Sequence, residues 1–281
     1  MSKQYRLREG DVTALDTKTA LTTSGSDTAP GPLFVPQGKK FITAINVAAI
    51  QNMAAATSYG ALIRLEGPGM VNGPESFTVG AGGNAVATGG NAVVEITHIP
   101  VNLEVSEANE IQVFAEMIGT DIGTLSVQVG LEFNDAVGEG AGQHRTITVE
   151  GDVTGADTRT ALTAQGSVAT PSMLVPSGYN KIDKMIVAAA SEGLADGSAS
   201  VFVRLGGNAV LGGEQLIPVS CLGRIAVQVG SDAAPQVCYP RVLENLDIDV
   251  SPSDTISVWA EQAGTDTGTV RVVVTLLFAK K

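Results

Sequence analysis

Apolar side chains occupy every second position in two stretches of the chain, residues 125–133 and 270–278. The alternating residues are Leu125, Val127, Val129, Leu131 and Phe133 in the first stretch and Val270, Val272, Val274, Leu276 and Phe278 in the second. A period of two is that of a β-strand with one buried face. Residues 111–115 alternate in the same way, and the turn sequence Gly-Thr-Asp-Ile-Gly-Thr follows at 119–124. Residues 110–133 therefore predict a β-hairpin, and the second stretch predicts another.

The last predicted strand has a second apolar face. Val273 and Leu277 lie at the outward positions between its alternating residues. An apolar face of this kind is usually covered by a sister domain or by a neighbouring subunit. Val273 and Leu277 are therefore candidate interface residues.

The chain carries the same pattern twice. Glu-Gly-Asp-Val-Thr at 9–13 returns at 150–154, Val-Pro-x-Gly at 35–38 returns at 175–178, and Gly-Thr-Asp-x-Gly-Thr at 119–124 returns at 264–269. The copies lie about 140 residues apart, which is the size of a whole domain. We expect an all-β chain of two tandem eight-stranded jelly-roll or β-sandwich domains related by internal duplication. The domains would span residues 1–134 and 146–281, joined by a Gly-rich linker at 135–145.

Composition agrees with strands and argues against nucleic-acid binding. Val, Thr and Gly are abundant, which favours strands and turns over helices. The net charge is −12, and no Lys or Arg occurs between Leu65 and His144. Because a protein that binds nucleic acid needs a cationic surface, we expect no direct sequence-specific contact with DNA or RNA. The one basic cluster, Lys3, Arg6 and Arg8, predicts either a solvated tail or an arm that contacts an acidic partner or a membrane face.

Targeting signals are not evident in the sequence. The N-terminus is polar, and no apolar stretch approaches the ~20 residues that a spanning helix needs. We expect a protein made in the cytoplasm without a signal peptide or a transmembrane segment. Cys221 and Cys238 are the only cysteines. Reduced thiols are expected in that compartment, with a disulfide between them as the alternative.

Candidate catalytic residues are few, and no enzyme is predicted. The two histidines, His98 and His144, have no counterparts in the repeat and are expected on the surface. The sequence contains no nucleophile elbow, zinc-protease motif or phosphate-binding loop. Trp259, the only Trp, matches Phe114 in the first half and is expected in the core. A buried Trp argues against stacking on sugar rings.

Three carboxylates are weak candidates for a structural calcium site. Asp247, Asp249 and Asp254 lie close together in the sequence, and Ca²⁺ prefers oxygen ligands. Their spacing fits no defined calcium loop, so a solvated acidic rim is the favoured interpretation. No other cofactor or metal is predicted.

Two β-domains of about eight strands each, joined end to end by a short linker, resemble the double jelly-roll major capsid proteins of tailless icosahedral viruses. The resemblance covers residues 9–278 and lies in the layout: the duplication, the number of strands and the compact length. It implies a homotrimer that forms a pseudo-hexameric capsomer of an icosahedral shell. It also implies a location in the virion capsid after synthesis in the host cytoplasm. Other capsid proteins or an internal membrane would then contact the N-terminal Lys3, Arg6 and Arg8.

The leading hypothesis is therefore a structural virion protein without enzymatic activity. The alternative is a non-enzymatic tandem β-sandwich binding module, such as a virion decoration protein, a spike or an adhesin. An enzyme of the cupin class is a third hypothesis, but it would need clustered His ligands. The state of association in solution separates the first hypothesis from the second.

Overall fold

The computed structural model describes most of the chain as β-structure. The described residues are 3–14, 17–22, 33–53, 60–80, 82–85, 96–118, 124–137, 142–155, 158–164, 172–191, 200–220, 241–263 and 270–280. Every regular element in these ranges is a strand, so the prediction of an all-β fold is confirmed. Within the same ranges, no helix has the length and apolar character needed to cross a membrane. Cys221 and Cys238 lie outside the described residues, as do residues 119–123 and 264–269.

The first half forms two facing sheets. Its strands are β1 (Gln4–Val12), β2 (Thr19–Ala20), β3 (Leu33–Phe34), β4 (Phe41–Met53), β5 (Gly60–Glu66), β6 (Glu75–Gly80), β7 (Gly82–Ala85), β8 (Ile96–Glu104), β9 (Glu110–Ile118) and β10 (Thr124–Asn134). Sheet 1 has the order β1-β10-β4-β8, and the short β7 lies parallel to the end of β4. Sheet 2 has the order β2-β9-β5-β6, with β3 also paired to β9.

The second half repeats this strand order. Its strands are β11 (His144–Val153), β12 (Thr160–Ala161), β13 (Thr163–Ala164), β14 (Ser172–Leu174), β15 (Lys181–Ser191), β16 (Ser200–Gly206), β17 (Gln215–Ser220), β18 (Arg241–Leu243), β19 (Ile248–Asp249), β20 (Thr255–Ala263) and β21 (Val270–Ala279). Sheet 3 has the order β13-β11-β21-β15-β18, with β19 also on β15. Sheet 4 has the order β12-β20-β16-β17, with β14 also on β20. The common origin of the two halves stays a prediction.

The predicted β-hairpins are wrong. β9 pairs with β5 in sheet 2, whereas β10 pairs with β1 and β4 in sheet 1. β20 and β21 are divided between sheets 4 and 3 in the same way. The alternation correctly indicates one buried face per strand, and the buried faces of β9 and β10 meet in the same core. Alternation does not identify the pairing partner, so strands adjacent in sequence can lie in opposite sheets.

Both Val-Pro-x-Gly segments form turns. Gly38 and Gly178 have φ values of +75° and +81°. In both turns the N–H of the residue after the glycine donates to the proline carbonyl at 3.1 Å. A positive φ at the third position is typical of a type II turn, where glycine is favoured because it has no Cβ. The turns lead into β4 and β15, the central strands of sheets 1 and 3.

Two core clusters lie between the facing sheets. The first consists of buried side chains of sheets 1 and 2 and includes Ile186 and Leu277 from the second half. The second consists of buried side chains of sheets 3 and 4. β10 ends at Asn134 and β11 begins at His144, so the last two residues of the predicted linker belong to β11. The domain boundaries at residues 134 and 146 stay predictions.

Candidate assembly interface

The two halves contact each other through unlike surfaces. The first half contributes the outer face of β5 and β6, at the edge of sheet 2, together with part of β8 in sheet 1. The second half contributes the outer face of sheet 3, formed by β11, β21 and β15. Leu62 on β5 packs against Val273 on β21, whereas Ile186 and Leu277 join the first core. Val273 and Leu277, the interface candidates from the sequence, thus lie in the contact between the halves of one chain.

Five hydroxyl side chains cross this contact, and we call them the hydroxyl ladder: Ser76, Thr78, Thr146, Thr148 and Thr275. Ser76 Oγ lies 2.9 Å from Thr148 Oγ1, which lies 2.8 Å from Thr275 Oγ1. Thr275 Oγ1 in turn lies 3.1 Å from Thr78 Oγ1. The ladder therefore joins β6 of the first half to both β11 and β21 of the second.

The hydroxyl ladder also satisfies the backbone of an edge strand. β6 is the last strand of sheet 2, so the N–H groups on its outer side lack a strand partner. Ser76 N–H donates to Thr146 Oγ1 at 3.0 Å, and Thr78 N–H donates to Thr275 Oγ1 at 3.2 Å. Because a buried N–H without an acceptor is costly, these bonds hold β6 on sheet 3 in one register.

Glu75, at the start of β6, is a buried carboxylate in the same contact. Its Oε2 accepts hydrogen bonds from the Thr146 N–H at 2.6 Å and from the Thr146 hydroxyl at 2.7 Å. Its Oε1 lies 3.0 Å from Arg145 Nε. Burial raises the pKa of Glu75 to about 7, although Arg145 and the bonds from Thr146 act in the opposite direction. The contact thus contains a carboxyl group that titrates near neutral pH.

His144 is buried in the contact, which contradicts its expected place on the surface. Its Nδ1 accepts a hydrogen bond from the Asn102 N–H at 3.2 Å. Its Nε2 lies 3.3 Å from Asp183 Oδ2, and the bond to His144 is the main cause that lowers the pKa of Asp183. Since Nδ1 is an acceptor, the ring proton sits on Nε2. No pattern in the sequence indicates this burial, whereas His98 is exposed as predicted.

The N-terminal basic residues lie in or beside a strand rather than in a tail or arm. Lys3 Nζ lies 3.0 Å from a Glu132 carboxylate oxygen. Arg6 is exposed on β1, whereas Arg8 on the same strand is only 5% exposed. Arg8 lines a cavity of about 190 Å³ together with Leu21 and neighbouring residues of β9. A role for Lys3, Arg6 and Arg8 at an interface stays a prediction.

The three candidate calcium ligands are engaged elsewhere. Asp247 forms an ion pair with Lys181. Asp254 accepts a hydrogen bond from Ser251 Oγ at 2.5 Å. Asp249 lies on β19, paired with the start of β15. In the part of the chain that the structure describes, no group of three or more His, Cys, Asp or Glu side chains could hold a metal ion.

Trp259 is half-buried beneath a cation, which corrects its expected place in the core. The Arg159 guanidinium lies 3.8 Å from the centre of the Trp259 ring. In the first half, Lys18 Nζ lies 4.3 Å from the centre of the matching Phe114 ring. Such contacts between a cation and an aromatic face are favourable. The two halves therefore share this contact on the outer faces of β9 and β20.

Both surfaces of the contact have exposed equivalents elsewhere in the molecule. Sheet 1 of the first half is the equivalent of sheet 3 of the second half. Its outer face, which we call the open face, carries Tyr5, Leu7, Gln128 and Gly130. β16 and β17 are the equivalents of β5 and β6, and their outer face, which we call the open edge, carries Phe202, Leu216 and Pro218, with Gln215 beside them at the start of β17. Tyr5, Leu7 and Leu216 are 57%, 44% and 54% exposed. Sequence reasoning missed these residues, although aligning the two copies position by position places Leu216 and Pro218 where Ser76 and Thr78 stand.

No protein-family model matches the chain, and no curated protein matches its sequence. Among solved structures, PNGase F, a glycosylasparaginase from Flavobacterium meningosepticum, has a TM-score of 0.44 and 11% identity over 97% of this chain and 96% of that chain. The major capsid protein P2 from bacteriophage PM2 has a TM-score of 0.32 and 9% identity over 100% and 98% of the two chains. Broad bean stain virus gives a TM-score of 0.36 and 10% identity over 85% and 77%. These similar structures include both an enzyme and capsid proteins. Similarity at such TM-scores does not assign a function to this chain.

Proposed function

We propose that the protein is a major capsid subunit of an icosahedral virion, and that three copies form a pseudo-hexameric capsomer that tiles the shell. The observation that carries the proposal is the contact between the halves, in which an edge of one lies on a face of the other. A contact between unlike surfaces repeats head to tail and builds a ring when its rotation closes. The open face and the open edge are the surfaces with which such a ring would continue.

The strand order of each half supports the proposal. With β7 set aside and β2 and β3 counted together, the first, eighth, third and sixth strands form one sheet, and the second, seventh, fourth and fifth form the other. This is the order of a jelly roll. Two jelly rolls in one chain allow three chains to supply six near-equivalent units to a ring. The same contact would then occur alternately within and between chains.

The ionisable groups of the contact are assigned to assembly rather than to catalysis. Glu75 holds Arg145 and Thr146 of the other half, and His144 accepts the Asn102 N–H while facing Asp183. The contacts of Glu75 and the bond from Asn102 N–H to His144 join the halves, whereas Asp183 lies in the same half as His144. We therefore propose a non-enzymatic protein that resides in the virion capsid. Contacts of Lys3 and Arg6 with other capsid proteins or with an internal membrane belong to the same proposal.

One observation favours a tandem β-sandwich binding module as the second candidate. Trp259 is half-exposed on the outer face of β20, and exposed aromatic rings are common in recognition surfaces. Arg159 already lies over this ring at 3.8 Å, so a ligand would have to displace it. The first candidate needs no such rearrangement.

Association in solution tests the proposal. We expect light scattering to give three times the 28.7 kDa mass of one chain, and negative-stain electron microscopy to show ring-shaped capsomers, sheets or particles. A protein that remains monomeric at its highest soluble concentration would overturn the proposal. Binding of a second protein by the monomer would then favour the binding module.

A further inference from the structure

The two halves can be matched position by position through their strand registers. Leu7 pairs with Gly130 between β1 and β10, and Thr148 pairs with Thr275 between β11 and β21. Leu7 is therefore the equivalent of Thr148, and Gly130 is the equivalent of Thr275. In the other sheets, Leu62 pairs with Thr78 between β5 and β6, as Phe202 pairs with Pro218 between β16 and β17. Residues of the contact on β5, β6, β11 and β21 therefore have defined equivalents on the open face or the open edge.

Hydroxyl partners in the contact change together at the equivalent positions, whereas the apolar pair Leu62 and Val273 becomes Phe202 and Gln128. The hydroxyl pair Ser76 and Thr148 becomes the apolar pair Leu216 and Leu7. Leucine beside leucine is a compatible pair once both are removed from water, just as two hydroxyls are compatible through a hydrogen bond. Leu216 and Leu7 are 54% and 44% exposed in the single chain.

A second pair changes in the same concerted way. Thr78 N–H donates to Thr275 Oγ1, and the equivalents of these two residues are Pro218 and Gly130. Proline has no N–H, so the donor and its acceptor are lost together. A Cβ added at Gly130 would meet nothing closer than Asn46 at 3.7 Å, so packing within the chain does not require a glycine there. Glycine inside a strand often marks the close approach of another chain segment.

The charged residues follow the same rule. The ion pair of Glu75 and Arg145 becomes two neutral amides, Gln215 and Gln4, so neither equivalent surface carries a lone charge at this place. Asn102, next to His144, has the equivalent Asp247, and His144 has the equivalent Lys3. Lys3 pairs with Glu132 and Asp247 pairs with Lys181 within the chain, and the Lys3 and Asp247 side chains both stay more than half exposed. Their charges are opposite, as two surfaces that meet require.

Protection of an edge strand explains only part of this pattern. A proline such as Pro218 blocks the edge of a sheet against unwanted strand pairing. That role does not explain the exposure of Leu216, nor that of Tyr5 and Leu7 on a different sheet. Single exposed apolar residues are ordinary, but these lie at the positions whose equivalents, Ser76, Thr146 and Thr148, are buried or part-buried between the halves.

We infer that the open edge of one copy docks on the open face of a second copy and repeats the contact between the halves with apolar in place of hydroxyl partners. Leu216 packs against Tyr5 and Leu7, and Pro218 lies over Gly130. This inference rests on the proposed function, since it names the contact by which the copies associate. The occupant is a second copy because the complementary surface is present on this same chain.

A disulfide test measures the contact directly. In a background with Cys221→Ser and Cys238→Ser, the double variant Leu7→Cys with Leu216→Cys is oxidised and run on a non-reducing gel. We expect covalent dimers and trimers, because the equivalent hydroxyls of Ser76 and Thr148 are 2.9 Å apart. The matched control, Ser76→Cys with Thr148→Cys, should form its disulfide within one chain.

A pair of charge variants provides the second measurement. Leu216→Glu should weaken association by about tenfold or more, because it would bury an unpaired charge. Leu211→Glu is the control, since Leu211 is also 54% exposed but lies on the loop before β17, outside the open edge. It should leave the association constant unchanged.

The outcomes separate the inference from the proposed function. If the protein associates but Leu7→Cys with Leu216→Cys gives no cross-link while the intrachain control does, the inference is overturned and the capsid proposal stands. Equal association constants for Leu216→Glu and Leu211→Glu would likewise overturn the inference and leave the capsid proposal standing. If the unmodified protein is a monomer, both fail. Cross-linked trimers together with weaker association of Leu216→Glu support both.

Discussion

Thr78 Oγ1 and Thr275 Oγ1 lie 3.1 Å apart in the buried contact between the halves, although 197 positions separate them in the chain. Thr275 Oγ1 also accepts the Thr78 N–H and contacts the Thr148 hydroxyl. One hydroxyl thus connects three strands, β6, β11 and β21. The contact between the halves is polar at its centre and apolar at its sides, where Leu62, Val273 and Leu277 are buried.

Thr275→Val should lower the free energy of unfolding by about 1–3 kcal/mol, because it leaves the buried Thr78 N–H without an acceptor. The measurement is the midpoint of urea denaturation. Thr275→Ser is the control, since it keeps the hydroxyl and should recover most of the loss. A Thr275→Val variant as stable as Thr275→Ser would contradict the prediction, because valine keeps the methyl group and loses only the hydroxyl.

The Glu75→Gln variant should flatten the pH dependence of stability. Between pH 4.5, the ordinary pKa of a glutamic acid side chain, and about 7, its pKa in the fold, the folded chain keeps a proton that the unfolded chain releases. Stability therefore falls as the pH rises through this window and levels off above it, with a total change of about 3 kcal/mol. Denaturation at pH 5 and pH 8 should show a larger loss for the unmodified protein than for Glu75→Gln.

A control for this pH effect is Glu66→Gln, because Glu66 pairs with Lys18 away from the contact between the halves. It should keep the pH dependence of the unmodified protein. If Glu75→Gln keeps it as well, another group governs the window.

Tyr179→Phe should leave stability unchanged or raise it by up to about 1 kcal/mol. The Tyr179 hydroxyl is buried and has no hydrogen-bond partner among the described residues. Burial, together with the nearby Glu75, raises its pKa to about 12. An unpaired buried hydroxyl costs free energy, and phenylalanine removes it without changing the ring. A clear loss of stability in thermal denaturation would show that the hydroxyl has a partner after all.

Arg159→Ala should shift the fluorescence of the protein to longer wavelength. Trp259 is the only Trp in the chain, and Arg159 covers its ring at 3.8 Å. Without this side chain, water reaches the indole. Lys18→Ala is the matched control, because it uncovers Phe114 in the first half and should leave the Trp emission in place.

Local patterns predicted the strands but not their partners. The alternation at 125–133 and 270–278 matches β10 and β21, and Gly38 and Gly178 mark the turns before β4 and β15. The alternation reports burial on one side of a strand, a local property. Pairing depends on the three-dimensional order of the sheets, which is why β9 and β10 were expected to pair and instead lie in facing sheets.

The contact between the halves was hidden in the sequence because its residues resemble surface residues. Ser76, Thr78 and Thr148 are polar and alternate with apolar positions, as the solvent face of a strand does. The other half covers them and satisfies their hydroxyls. His144 was misplaced for the same reason, since a polar residue beside a Gly-rich segment reads as exposed. Only Val273 and Leu277 showed a covered face, because they are apolar.

Hydrogen bonds and apolar packing differ in what they demand of geometry. The hydroxyl ladder requires particular distances and directions, so it fixes the angle between the halves of one chain. Leucine packing is non-directional and tolerates a rotation of several degrees. A ring built by the inferred contact would therefore alternate stiff joints within chains with compliant joints between them. Such a ring could adjust its curvature at three places without bending any single chain.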